Sequence, residues 1–114
     1  MTTAIGRTAE AAVAKHLTQN GWQLLALNWR RPACEIDIVA VKDKRVAFVE
    51  VKFRRSAKYG GGLEYITASK LEKLRLGARL WCQEHNWDGD CVLVAASVSA
   101  EGGGPVINEV VEIN

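Results

Sequence analysis

Two strand-like segments separated by four polar residues constrain this chain more than any other feature. Residues 35–41 (EIDIVAV) and 46–53 (VAFVEVKF) alternate in polarity and are rich in β-branched side chains, which is typical of β-strands. The segment between them, residues 42–45, is polar and suits a tight turn. We therefore expect an antiparallel hairpin, and a symmetric turn would pair Val41 with Val46.

The register of this hairpin decides which charged residues meet. If the turn is centred on residues 43–44, counting outward pairs Asp37 with Glu50 and Glu35 with Lys52. Directly opposed side chains in a sheet have Cβ atoms about 4.5–5.5 Å apart. A bulge would shift this pairing by one residue.

Two opposed carboxylates repel each other, and a divalent cation between Asp37 and Glu50 would remove that repulsion. Carboxylate oxygens suit Mg²⁺ or Mn²⁺, which keep open positions for water and phosphate. Lys52 would then contact the scissile phosphate or orient the attacking water. The alternative is that these charges, with Glu35, form the solvent face of an antiparallel sheet.

Outside the hairpin, the sequence predicts two helices and three further strands. Helical spacing of apolar residues covers residues 3–20, and a second helix begins after Thr67 or Ser69, with Ser69 and Glu72 fitting a capping box. The other strands are predicted at 22–29, 91–99 and 106–113, with a glycine-containing loop at 56–66 and a turn at 102–105. The order α-β-β-β-α-β-β indicates a mixed central sheet flanked by helices.

The charge distribution is uneven along the chain. The 114 residues suit one domain, residues 1–114, with a net charge of +2. All fifteen Lys and Arg residues lie at or before Arg79, and with seven acidic residues they give residues 1–79 a charge of +8. Such a basic portion can attract the phosphates of a nucleic acid. A solvated basic surface is the alternative.

No apolar run is long enough to span a bilayer, and the N-terminal residues lack the pattern of a secretory signal. The three cysteines, Cys34, Cys82 and Cys91, are not spaced as zinc ligands, and we expect reduced thiols in a cytoplasmic protein without membrane contact.

An ordered series of residues resembles the YraN-like family of small bacterial proteins. The matching residues are Gly6, Glu10, Leu17, Gly21-Trp22, Asn28-Trp29-Arg30, Glu35-Ile36-Asp37-Ile38-Val39, Phe48-Val49-Glu50-Val51-Lys52, Arg54, Lys70 and Ala78. The resemblance covers residues 5–100. The acid-x-Asp and Glu-x-Lys motifs are similar to those of the PD-(D/E)xK, or restriction-endonuclease-like, superfamily, and the family is described as similar to archaeal Holliday-junction resolvases.

The resemblance implies a restriction-endonuclease-like α/β fold and a metal-dependent endonuclease acting on DNA, including branched or junction DNA. Asp37 and Glu50 would hold Mg²⁺ or Mn²⁺, Lys52 would be the catalytic lysine, and Glu10 would join the metal site. Glu35 fits the pattern with no defined role, and would pair with Lys52 or with a basic loop. Resolvase-like enzymes act as dimers, so a homodimer is a further expectation.

Two other functions stay open at this point. One is a nucleic-acid-binding module of the same fold that has lost catalysis. The other is an interaction protein whose acidic C-terminal third binds a basic partner. The candidate phosphate contacts, of which Arg54 is the first choice because it follows Lys52 on the same strand face, are Arg54, Arg55, Lys70, Arg7, Arg30, Arg31 and Lys58.

Three positions depart from the resemblance. The family has glycine where this chain has Ala9 and Cys34, and Ile36 replaces the motif's proline. Alanine suits a helix. A cysteine at position 34 would be strained if the backbone there needs a positive φ.

Overall fold

The computed structural model describes residues 4–54 and 66–113. These residues form two helices and five strands in the predicted order. The elements are α1 (Ala4–Gln19), β1 (Gln23–Arg31), β2 (Cys34–Lys42), β3 (Arg45–Arg54), α2 (Ala68–Glu84), β4 (Asp90–Glu101) and β5 (Gly104–Ile113). In the described part of the chain, no helix is long and apolar enough to cross a membrane.

The five strands form one mixed sheet in the order β1-β2-β3-β4-β5. Neighbouring strands are antiparallel except β3 and β4, which are parallel. The parallel pair needs a crossover, and α2 supplies it. The predicted fold class, a mixed α/β sheet flanked by two helices, is therefore confirmed.

The β2–β3 hairpin has the predicted register. Val41 pairs with Val46, and the ladder continues to the pair Ile38–Val49, where it ends, so the predicted pairs Asp37–Glu50 and Glu35–Lys52 lie beyond it. The two turn residues, Asp43 and Lys44, have φ values of 50° and 63°. Positive φ at both central residues is the hallmark of a type I′ turn, whose twist matches that of the flanking strands.

The two helices cover opposite faces of the sheet. The apolar stripe of α1, which includes Val13 and Leu17, packs with Ile38, Ala47 and Val49 in one core cluster. These side chains are almost completely buried, so most of the stability of α1 comes from this contact rather than from its intrinsic propensity.

Helix α2 packs on the other face, where Phe48 meets Trp81 edge to face at 5.7 Å between ring centroids. The helix comes close to β2 at Gly77. A Cβ atom at Gly77 would lie only 2.9 Å from Ile36 Cγ1, so glycine is needed for this approach. The close contact fixes the height of α2 above the first residues of β2.

Several details differ from the sequence expectations. Ile36 and Ile38 are two residues apart, which in a regular strand places them on one face, but Ile36 packs under α2 and Ile38 under α1. Thr67 caps α2 by accepting the Lys70 N–H at 3.2 Å, whereas Ser69 lies inside the helix. Strand β5 begins at Gly104 and includes Pro105, which an edge strand tolerates because it lacks a partner on one side.

The predicted loop at 56–66 falls, apart from Ile66, outside the described residues.

Candidate functional site

The site begins where the β2–β3 ladder stops. Beyond the Ile38–Val49 pair, the Val51 N–H donates a 2.7 Å hydrogen bond to Oδ2 of Asp37 instead of to a backbone carbonyl. A side chain therefore replaces the backbone as acceptor, and Asp37 is fixed in position by the neighbouring strand.

Charged side chains from three elements converge next to this hydrogen bond. A cavity of about 200 Å³ is lined by Glu35 and Asp37 of β2, Glu50 of β3, and Lys70 and Lys73 of α2. Because the close approach at Gly77 sets the position of α2, its first turns lie beside the carboxylates of the sheet. The cavity thus has carboxylates on the sheet side and ammonium groups on the helix side.

The carboxylates in this cavity oppose one another's ionisation. Burial and the nearby Glu50 carboxylate raise the pKa of Asp37 to about 7, and Glu10 and Glu35 add smaller effects in the same direction. The Val51 hydrogen bond acts the other way but does not cancel them. A carboxylate held near neutral pKa is poised to gain from a cation.

Lys52 and Glu50 form an ion pair on one face of β3. Their closest atoms, Lys52 Nζ and Glu50 Oε1, are 3.2 Å apart, and the side chains are only 18% and 20% exposed. Such low exposure contradicts the alternative of a solvent-facing sheet surface for Glu50 and Lys52, whereas Glu35 is exposed. Glu50 and Lys52 lie instead on the face that α2 covers.

The ammonium group of Lys52 also contacts that of Lys70. Burial opposes the charge of Lys52, but the nearby carboxylates of Glu50 and Asp37 raise its pKa. The contact with Lys52, followed by burial, lowers the pKa of Lys70. Two ammonium groups in contact repel each other, and an anion bound between them would relieve that repulsion.

Glu10 lies close to the same group of charges. Its side chain is partly buried, and burial together with the charges of Glu35 and Glu50 raises its pKa, although a hydrogen bond with Asn28 opposes this. Asn28 has a φ of 51° within β1, a left-handed conformation that asparagine tolerates better than most residues. The family resemblance implied that Glu10 joins this site, and the structure brings it near Glu35 and Glu50.

The donor set fits a magnesium-type cation held by two carboxylates. Asp37 and Glu50 supply hard oxygen ligands, and such sites complete their coordination with water and phosphate. Within residues 4–54 and 66–113, no three His, Cys, Asp or Glu side chains are grouped so as to hold a metal ion. Asp37 and Glu50 as metal ligands, and Glu10 as a third, therefore stay a prediction.

One of the two alternatives from the sequence paired Glu35 with Lys52, but the structure pairs Glu35 with another residue. Its Oε1 lies 3.2 Å from Nε of Arg30, which is opposite it on β1. Lys52 is paired with Glu50 instead. The partner of Glu35 is a strand residue, so neither Lys52 nor a basic loop, the two expected partners, is the one observed.

The candidate phosphate contacts are placed unequally. Arg54, the first choice from the sequence, is only 6% exposed, so a phosphate could reach little of it in this conformation. Arg31 is held in two hydrogen bonds by the Glu84 carboxylate and stacks over Trp29 at 4.2 Å. Lys70 lines the cavity. The side chains of Arg7, Arg55 and Lys58 lie outside the described residues.

Two residues of this region had no role in the sequence-based prediction. Lys73 lines the cavity, and its spacing of three residues from Lys70 on a predicted helix could have pointed to it. Asn28, which hydrogen-bonds Glu10, was seen as part of a matching motif, but its contact depends on tertiary structure.

The expected strain at Cys34 is absent. Cys34 begins β2 and is not among the described residues with positive φ, so its backbone is compatible with a cysteine. Its side chain is buried, and its Sγ lies 3.6 Å from where a Cβ of Gly77 would be. The thiol therefore fills space beside α2.

Sequence comparisons extend the family resemblance. Residues 9–96 match the model of a family described as "Uncharacterised protein family UPF0102". A UPF0102 protein of Stutzerimonas stutzeri is 36% identical over 105 residues, covering 90% of this chain and 88% of the relative. One from Rhodococcus opacus is 35% identical over 109 residues, covering 94% and 92%. One from Clavibacter michiganensis subsp. michiganensis is 42% identical over 81 residues, covering 71% and 69%. This chain belongs to the UPF0102 family.

Proposed function

We propose that this protein is a divalent-metal-dependent endonuclease that hydrolyses phosphodiester bonds of DNA, including branched or junction DNA. Asp37 and Glu50 hold the metal, and Lys52 is the catalytic lysine. The resemblance to the PD-(D/E)xK superfamily agrees with this assignment.

One observation carries the proposal: Asp37, Glu50 and Lys52 are brought together at the point where two strands separate. Asp37 is anchored by the Val51 N–H, and Glu50 is anchored by Lys52 at 3.2 Å. A partly buried carboxylate with a pKa of about 7 beside a second carboxylate costs the fold stability. Such an arrangement is common at sites that bind a ligand.

Each residue has a role that follows from its position. When bound at Asp37 and Glu50, a divalent cation supplies a water of lowered pKa and positive charge beside the phosphate. Lys52 donates hydrogen bonds to a non-bridging phosphate oxygen, where negative charge accumulates during the reaction. Lys70, which contacts Lys52, holds the same phosphate from the helix side.

A cleavage assay tests the proposal directly. Wild-type protein is incubated with duplex, single-stranded, flap and four-way junction DNA in Mg²⁺, in Mn²⁺ and in EDTA. We expect metal-dependent cleavage of at least one substrate and its loss in Asp37→Asn and Lys52→Ala. The exposed turn variant Asp43→Asn is the matched control, because asparagine tolerates the positive φ at that position.

The outcomes separate the candidate functions. Equal cleavage by wild type and both site variants would point to a contaminating nuclease and overturn the proposal. Binding of DNA without cleavage under every metal condition would favour the catalytically inactive binding module. Absence of DNA affinity at low salt, where phosphate contacts are strongest, would favour a protein-interaction role.

A further inference from the structure

A second, larger cavity adjoins the site. It has a volume of about 610 Å³ and shares the lining residues Glu35 and Lys73 with the cavity that contains Asp37 and Glu50. The rest of its lining comes from the β1–β2 turn and its flanks, residues 30–34. The two cavities therefore adjoin at Glu35 and Lys73, so a chain molecule bound at one could extend across these side chains to the other.

The second cavity has an excess of positive charge. Its lining includes the three cations Arg30, Arg31 and Lys73 against the single carboxylate of Glu35. Arg30 pairs with Glu35, and Arg31 is held by Glu84 outside the cavity lining. This surplus suits an anionic ligand.

Lys73 differs from the two arginines. It is exposed, and within the described part of the chain no ion pair or hydrogen bond engages its side chain. An exposed ammonium on the shared wall of two cavities can contact a ligand without first breaking an internal pair.

The helix gives Lys70 and Lys73 a spacing that suits successive phosphates. Residues three apart on a helix are neighbours, with about 5–6 Å between Cβ atoms. That spacing is comparable to the distance between adjacent phosphates of a nucleic-acid strand. The contact of Gly77 with Ile36 holds this face of α2 against β2, so both ammonium groups are presented along one wall.

We propose that the second cavity binds the phosphate next to the scissile one, with Lys73 as its contact. This inference rests on the proposed nuclease function and specifies which part of the substrate the chain grips. A substrate must therefore extend past the scissile bond on the side of the β1–β2 turn. We therefore expect the protein to cleave bonds inside a strand and not to remove a terminal nucleotide on that side.

The salt dependence of binding tests the phosphate contact. Binding of fluorescein-labelled duplex DNA is measured by anisotropy in EDTA, which prevents metal-dependent cleavage, over a series of salt concentrations. Loss of one phosphate contact reduces the slope of log K against log salt by about 0.9. We expect this reduction in Lys73→Ala, a roughly three- to tenfold weaker Kd at low salt, and recovery of the slope in Lys73→Arg.

Arg79→Ala is the matched control, since Arg79 is exposed on α2 and lines neither cavity. Apart from the general effect of one lost charge, Arg79→Ala should keep the wild-type slope of log K against log salt. If Lys73→Ala has the same slope as Arg79→Ala, the inference is wrong, and the nuclease proposal is unaffected. If wild-type protein binds no DNA, both proposals fail together.

The position of the contact is tested with neutral linkages. After the cleavage site has been mapped, a single methylphosphonate is placed one linkage away on either side. On one side we expect slower cleavage by the wild type and no additional effect in Lys73→Ala. If the methylphosphonate slows cleavage equally in the wild type and in Lys73→Ala on both sides, Lys73 does not contact that phosphate. That result would overturn the inference even though metal-dependent cleavage persists.

Discussion

Lys52 Nζ lies 3.2 Å from Glu50 Oε1, two residues earlier on the same strand, and both side chains are about four-fifths covered. An ammonium and a carboxylate at this distance hold each other in place. In addition, Lys52 contacts Lys70 of α2, so Lys52 connects the charged residues of the sheet with those of the helix. Lys52 therefore helps to fix the position of Glu50 beside the cavity.

The first prediction concerns Lys52. Removing one group that stabilises developing charge costs about 10²–10³ in rate. We expect Lys52→Ala and Lys52→Gln to lower single-turnover cleavage by about this factor while DNA affinity in EDTA changes much less. Single-turnover kinetics and anisotropy measure the two effects. Parallel loss of affinity and rate would assign Lys52 to ground-state binding instead.

The second prediction compares two substitutions of Asp37. Asparagine retains an oxygen that can accept the Val51 N–H and removes the charge, whereas alanine leaves this N–H without its acceptor. Without metal at pH 8, Asp37→Asn should be more stable than wild type, and Asp37→Ala should be less stable than Asp37→Asn by about 1–3 kcal/mol. Urea denaturation measures both differences. Equal stability of the two variants would contradict the structural role of the hydrogen bond.

The third prediction is a pH dependence with a defined sign. The folded-state pKa of Asp37, about 7, exceeds its ordinary value of 3.8, so the folded protein binds this proton more tightly than the unfolded chain. Lowering the pH from 8 to 5 should therefore stabilise wild type relative to Asp37→Asn, by roughly 1–3 kcal/mol in total. Denaturation curves of both proteins across this range provide the measurement. A constant difference would mean that Asp37 titrates normally.

The fourth prediction concerns metal binding. A cation that binds Asp37 and Glu50 competes with the proton on Asp37, so Mn²⁺ should raise the Tm more at pH 8 than at pH 6. For a domain of this size, each kcal/mol of stabilisation corresponds to about 4–8 °C. Asp37→Asn and Glu50→Gln should abolish the shift, and Asp43→Asn should retain it. A shift that survives in both site variants would place the metal elsewhere.

The fifth prediction addresses the height of α2 above the sheet. In Gly77→Ala, the gain in helix propensity, about 1 kcal/mol, opposes a close contact with fully buried Ile36. Overpacking of this kind costs about 1–3 kcal/mol, so we expect a net loss of stability near 1 kcal/mol and weaker DNA binding through Lys70 and Lys73. Gly104→Ala, where a Cβ would meet open space, should be nearly neutral. A Gly77→Ala protein with wild-type stability and affinity would show that α2 can shift without consequence.

Local patterns were sufficient to predict the hairpin and the faces of β3. The period of two separates Phe48, Glu50 and Lys52 from the opposite face, and the short turn fixes the pairing of Val41 with Val46. Both depend on residues close in sequence. The family resemblance added Glu10, whose proximity to the site depends on how α1 packs against the sheet.

Contacts between distant elements were harder to predict. The partner of Glu35 is set by β1, whose register shifts at a bulge between Leu24 and Ala26 and which extends two residues beyond its predicted end. The burial of Arg54 could not be read from strand alternation, which gives a face but not what covers it. The expected homodimer stays a prediction.

The hydrogen bond from the Val51 N–H gives Asp37 a structural role in addition to its proposed role as a metal ligand. Any side chain at position 37 with a suitably placed oxygen satisfies the backbone of β3, so an acceptor would be retained there whether or not the site cuts DNA. The side chain of Lys52 pairs with the Glu50 carboxylate rather than with a backbone group. Under the proposed nuclease function, a lysine at position 52 in relatives of this chain is therefore a better marker of catalysis than an oxygen-bearing side chain at position 37.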